Sequence, residues 1–217
     1  CVYLGIITGT KQEEMVSALQ AAQNGGKPVP AEKFVNKIPV KKHDHVLIPA
    51  GTVHCSGADT MVLEISATPY IFTFKLWDWG RVDLDGKPRP IHLEHGAANI
   101  QWYRNTEWVH RNLVNAVAEV YTGENGTVVR TGLHEREYLD PFRYTTSTTQ
   151  PVQSNVSKHM LTLVEGTRAV LRSKSDAFPP LELHYAETCI VPQAAGDYEI
   201  YSPDGSEVKV ILACVRN

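Results

Sequence analysis

His43-Asp44-His45-Val46-Leu47-Ile48-Pro49-Ala50-Gly51-Thr52-Val53-His54 decides how the rest of this chain is read. Val46, Leu47 and Ile48 supply a short apolar strand. Pro49 suits the first position of a turn, and Gly51 suits a backbone angle that other residues avoid. The turn aims His54 from a rigid strand end, and a neutral imidazole held in that way is a good metal ligand.

The bulk numbers narrow the class. At 217 residues the chain has room for one large domain or two small ones. An apolar content of 42% is ordinary for a globular protein, and a net charge of −3 gives no electrostatic case for nucleic acid or an anionic membrane. No apolar run approaches the ~18 residues that a membrane span needs. Cys1, Cys55, Cys189 and Cys214 form no C-x-x-C pair and no disulfide-scaffold spacing. They read as small buried thiols in a reducing cytoplasm. The chain begins with Cys1 and shows no secretory segment, so further sequence is expected upstream.

Outward from the opening stretch, Val2 to Ile7 reads as a strand. Thr10 with Glu13 forms a capping-box signature, followed by Met15, Val16, Leu19 and Ala22 at helical spacing and a stop at Asn24-Gly25-Gly26. Lys11 to Gln23 is therefore expected to be one helix with one apolar stripe. Phe34 to Val40 reads as an extended approach. Beyond His54, Thr60 to Ser66 reads as a buried strand. If it folds back on His54, loop parity decides whether Glu64 shares the His54 face. Ile71 to Trp77 reads as another strand. Lys75 inside it is either an edge charge facing water or a functional cation. Asp78, Arg81, Asp83 and Asp85 cluster around an Asp85-Gly86 turn, either as a surface ion-pair network or with Arg81 reaching an anion or sugar oxygen bidentately. Leu113, Val114 and Val117 stand at helical spacing in a connector, and Thr145 to Gln150 reads as a polar loop or linker.

The last third reads as a second β module, with strands at His159 to Val164, Ala169 to Leu171, Leu181 to His184 and Val208 to Ala213. Glu187 to Tyr198 echoes the opening stretch, with an apolar strand, Pro192 and a small-residue turn. Laid against Pro49-x-Gly51-x-x-His54, it sets Ala194 at the glycine and Asp197 at the histidine. Many short strands, Gly and Pro turns and one capped helix point to an all-β barrel or sandwich.

The opening stretch resembles the second cupin motif, G-x5-P-x-G-x2-H, with His43 in place of its glycine. Ile48 to His54, then Leu63-Glu64-Ile65, then Trp77-Asp78-Trp79-Gly80-Arg81 through Gly86-Lys87-Pro88-Arg89 is similar to the class I mannose-6-phosphate isomerases. The resemblance implies an all-β double cupin of two jelly-roll-like barrels. The first is incomplete, with one short helix insertion and a helical connector. It divides the chain into a partial first cupin at 1–100 carrying the remaining metal-site histidine, a connector and linker at 101–150, and a degenerate second cupin at 151–217.

That family interconverts mannose 6-phosphate and fructose 6-phosphate, moving a proton between adjacent sugar carbons beside a zinc ion. By resemblance His54 matches the last zinc ligand, and Glu64 matches a pocket glutamate that positions substrate or handles the proton. Lys75 falls where the family carries a catalytic arginine, and Arg81 falls in a block that binds substrate. Both are therefore expected to bind substrate and serve catalysis. The family's Gln-x-His pair and glutamate, its other zinc ligands, have no counterpart before His54. The resemblance thus implies zinc or another divalent metal, a sugar-phosphate substrate, a cytoplasmic location, and a possible homodimer without nucleic-acid or membrane partners. The alternative is a non-catalytic, degenerate bicupin that binds a sugar or a protein. A cupin oxygenase would need an H-x-H and a glutamate on the preceding strand, a set not found before His54.

Overall fold

The computed structural model describes residues 1–23, 27–66, 73–87, 89–154 and 157–216. It divides into two compact units, Cys1–Glu64 with Thr68–Asn115, and Ile65–Ala67 with Ala116–Asn217. Among the described residues no helix is long and apolar enough to cross a membrane.

In the first unit, β1 (Val2–Ile6) lies between β2 (Val35–Ile38) and β3 (His54–Ser56) in an antiparallel sheet. Tyr3 faces Lys37 on one side and Cys55 on the other, while Leu4 faces His54. Four helices accompany the sheet: α1 (Gln12–Gln23), α2 (Ala31–Phe34), α3 (Leu93–Asn99) and α4 (Thr106–Asn112). The apolar stripe of α1 buries Met15 and Leu19, one turn apart, in a cluster with Tyr3, Ile6, Phe34 and Leu93. A second cluster joins Leu4 and Ile38 to Val109 and Leu113. The helix start falls one residue later than expected. The expected stop at Asn24-Gly25-Gly26 lies outside the described residues.

Several expected strands are absent. Val46 makes only an isolated bridge to Val114, with Leu47 N–H donating to Leu113 O at 2.9 Å. His43 in a left-handed conformation (φ 69°) breaks the extended run before it, and Pro49 lacks the N–H to continue it. Residues 61–66 are exposed coil, with Met61 84% exposed, because β3 takes β1 as its partner and does not fold back on them. The strand expected at Ile71 to Trp77 is irregular over 73–77, and its first two residues lie outside the described set.

The second unit holds ten strands. These are β4 (Ala118–Gly123), β5 (Gly126–Arg130), β6 (Leu139–Thr146), β7 (Thr149–Val152), β8 (His159–Glu165), β9 (Arg168–Ser173), β10 (Leu181–His184), β11 (Thr188–Val191), β12 (Tyr198–Tyr201) and β13 (Val208–Val215). They form a six-stranded sheet ordered β11-β8-β13-β6-β5-β4 and a four-stranded sheet ordered β10-β9-β12-β7. Alternate residues face the shared core: Leu161 and Leu163, Ala169 and Leu171, Tyr198 and Ile200, and Val208, Val210 and Leu212. Residues 101–150 are thus not a connector. They supply α4 to the first unit and β4, β5, β6 and part of β7 to the second, where the expected linker at 145–150 is the end of β6, a two-residue turn at 147–148 and the start of β7. Its polar composition hides the strands because Thr146 and Gln150 are buried despite being polar.

His159 is buried in the second core, with Nδ1 2.8 Å from Tyr198 Oη, and burial holds its pKa below the usual imidazole value. Burial also pushes Tyr144 up to about 12 and raises Tyr198, so both phenols stay neutral. As pH falls below about 6.5, the unfolded chain takes up a proton that the folded imidazole refuses, so stability is lost with falling pH. Protection factors of the β8 and β12 amides, corrected for intrinsic exchange, should therefore fall between pH 7 and 5.5. In His159→Gln that fall should be smaller.

Candidate functional site

The Pro49–Thr52 turn is built as the sequence implies. Thr52 N–H donates to Pro49 O at 3.1 Å, and Thr52 Oγ1 donates to the same oxygen at 2.7 Å. Gly51 occupies the third turn position with φ 83°, and a Cβ there would lie 2.6 Å from Asn99 O. Gly51 O in turn accepts from Gln101 N–H at 2.9 Å.

Two residues beyond the turn, His54 is exposed and its Nδ1–H donates to Thr52 O at 2.9 Å. That bond fixes the tautomer and leaves the Nε2 lone pair outward, the arrangement of a metal-ligating or base imidazole. Fit to a zinc ion fails on number. Among the described residues no group of three or more His, Cys, Asp or Glu side chains could hold a metal, and a single imidazole does not make a zinc site.

The turn is held from behind by Arg104, a residue that the sequence reading passed over. Arg104 is 6% exposed. Nη1 donates to Pro49 O (2.9 Å), Ala50 O (2.7 Å) and Thr52 Oγ1 (2.6 Å). The cation lies over the rings of Tyr103 and Trp108 at 5.6 and 5.4 Å. Two aromatic residues bracketing an arginine at −1 and +4 were the available signal.

The other expected site residues are dispersed. Glu64 is exposed in the 61–66 coil. Lys75 Nζ lies 3.3 Å from Asp78 Oδ2, which also receives Arg89 Nη1 at 3.4 Å. Arg89 Nε reaches Asp83 at 3.2 Å, and Lys87 pairs with Asp85 at 3.4 Å. The exposed Arg81 guanidinium has no ion-pair partner among the described residues. Among those residues, no hydrogen bond or ion pair joins His54 to Glu64, Lys75 or Arg81.

Cross-strand pairing sets His54 on the sheet face of Leu4, and Cys55 on that of Tyr3. The Trp79 ring packs tilted against Tyr3 at 5.6 Å and against Trp77 at 4.7 Å. The aromatic block and His54 therefore occupy opposite faces. Burial pushes the Cys55 thiol up, so it stays protonated and unreactive.

In the second unit, the echo turn carries no ligand. Asp197, at the histidine position, accepts from Ser154 N–H at 2.9 Å and serves to tie loops. The left-handed residue there is Gly196 (φ 68°), two residues after the expected position.

No family model matches the chain. Curated relatives include a mannose-6-phosphate isomerase of Streptococcus mutans, 35% identical over 63 residues, which is 29% of this chain and 20% of that protein. A second, from Bacillus subtilis, is 28% identical over 92 residues, 42% of this chain and 27% of its own. Among solved structures, the Bacillus subtilis mannose 6-phosphate isomerase aligns over 98% of this chain and 59% of its own, with a TM-score of 0.65 and 17% identity. A protein assigned as a mannosephosphate isomerase from Archaeoglobus fulgidus aligns over 100% of this chain and 57% of its own, with a TM-score of 0.63 and 14% identity. The chain thus spans less than two thirds of the length of each. It is an all-β protein, and its fold is that of these two solved structures.

All four tryptophans, Trp77, Trp79, Trp102 and Trp108, lie in the first unit, so their fluorescence reports its unfolding. Arg104→Ala removes three charge-assisted bonds and should destabilise this unit by about 3 kcal/mol. The tryptophan-monitored urea midpoint measures the loss. Lys at position 104 should recover less than half of it, since one ammonium cannot reproduce the planar fork.

Proposed function

We propose that this chain is part of an aldose–ketose isomerase acting on mannose 6-phosphate and fructose 6-phosphate. The observation that carries the reading is Arg81. Lys75, Lys87 and Arg89 each pair with a carboxylate of the same loop, while Arg81 keeps its guanidinium free of ion pairs among the described residues. An exposed, unpaired guanidinium in a cation-rich loop suits bidentate capture of a phosphate. The curated relatives' names support the sugar phosphate as the ligand. Four free thiols suit a reducing, cytoplasmic setting.

Lys75, held to Asp78, can exchange that carboxylate for the substrate phosphate or a developing oxyanion. His54 offers Nε2 as a proton acceptor or as one ligand of a divalent ion. One imidazole would not complete a site for such an ion among the described residues, which leaves His54 the role of proton acceptor. Glu64, exposed and remote from any described polar partner, favours a second reading. In it, the chain binds a sugar phosphate without turning it over.

Arg81→Ala should weaken mannose 6-phosphate binding about tenfold by calorimetry, and binding by the parent chain should weaken further with added salt. The isomerase reading expects turnover in a zinc-supplemented assay that His54→Ala abolishes. Sugar-phosphate binding without turnover would leave the second reading standing.

A further inference from the structure

Trp79 combines two features that seldom meet. Its backbone is left-handed, with φ 55°, and the next residue, Gly80, has φ 68°. Arg81 N–H donates to Asp78 O at 2.9 Å, so Asp78 to Arg81 form a turn with both central residues at positive φ. Such turns strongly prefer Asn-Gly or Asp-Gly, and a bulky residue at the first central position is strained. The strained residue is also a tryptophan left 44% exposed. Strain of this kind persists where the surroundings over-determine it, and it concentrates at ligand-binding positions.

The surroundings are specific. Trp77 packs at 4.7 Å from one side and Tyr3 at 5.6 Å from another, holding the indole in place. Tyr3 Oη donates to Glu32 Oε1 at 3.0 Å, and Lys37 Nζ donates to the same oxygen at 2.6 Å. Lys37 pulls the Glu32 carboxyl below its usual range, so an anion and a cation stand side by side at the shelf edge at neutral pH. Among the described residues Glu32 Oε2 has no partner, and Lys37 has N–H groups to spare. Tyr3 thus joins the half-exposed Trp79 ring, which packs on its phenol, to an acceptor and a donor, Glu32 at its hydroxyl and Lys37 5.9 Å from its ring centre.

We propose that Trp79 is a stacking platform for the apolar face of a hexopyranose ring, with Glu32 and Lys37 holding its hydroxyls. Polarised sugar C–H groups meet the electron-rich face of the indole, and the ring hydroxyls reach the ion pair. This rests on the sugar half of the proposed function and not on turnover. It also lies on the sheet face away from His54.

Trp79→Asn is the discriminating variant, because asparagine suits the left-handed turn position while removing the ring. Methyl α-mannopyranoside, which carries no phosphate, is the probe, read by saturation-transfer NMR and calorimetry on the full chain. The expected result is that the parent chain binds the probe and Trp79→Asn binds it about tenfold more weakly with an unchanged or raised thermal midpoint. Trp79→Phe should keep part of the affinity, and Glu32→Gln should weaken it. Equal binding of the probe by Trp79→Asn and the parent, or no binding by the parent, overturns the platform. Loss of mannose 6-phosphate binding in Arg81→Ala would still stand as an independent result for the phosphate reading.

Discussion

A buried guanidinium without a carboxylate is the constraint on which the first unit depends. Burying a cation is costly unless its N–H groups are satisfied. Arg104 meets part of that demand through Nη1, which donates to backbone oxygens, and through two aromatic faces, while its Nε stays buried with no hydrogen-bond partner among the described residues. The same residue's carbonyl accepts from Ile6 N–H at 3.0 Å, which locks it to β1. The next residue, Asn105, caps α4 by accepting from Trp108 N–H at 3.1 Å. One short segment thus fixes a central strand, a helix start and the turn that presents His54.

The two halves of the candidate chemistry are separated by the pleat of a sheet. Leu4 and His54 share one side, and Tyr3, Cys55 and the tryptophans share the other. A strand places neighbouring residues on opposite faces, so residues 54 and 55 belong to different environments although they adjoin in sequence. The second unit commits its residues to packing. Its interior is filled by Tyr198, Leu161, Leu163 and Leu171, all fully buried, and its turn residue Asp197 is committed to a loop hydrogen bond.

Much of this was legible in the sequence, and the exceptions have physical causes. The Pro49–Gly51 turn, the α1 stripe and the strands of the last third follow from local chemistry: ring constraint, helical period and alternation. Residues 61–66 carry as strong an apolar signal as β8 yet form no strand, because a strand exists only where another backbone pairs with it. Partner choice is a tertiary property. The same holds for Val46 to Ile48. Arg104 was marked only by Tyr103 and Trp108, because burial, not residue type, makes it important, and arginine is ordinarily a surface residue. The opposite placement of His54 and Trp79 depends on which strand pairs with β3, a register that no periodicity in the chain encodes.

The central position of β1 and the reach of Arg104 have a kinetic consequence. The bonds from Arg104 to the 49–52 turn close loops of 55, 54 and 52 residues. Contacts so distant in sequence bear their closure entropy before they return any stabilisation, which makes them late events in folding. During synthesis at about 5–20 residues per second, His54 would emerge roughly 3 to 10 seconds before the arginine that completes its support. By contrast, β4, β5 and β6 pair with their sequence neighbours and need no such wait.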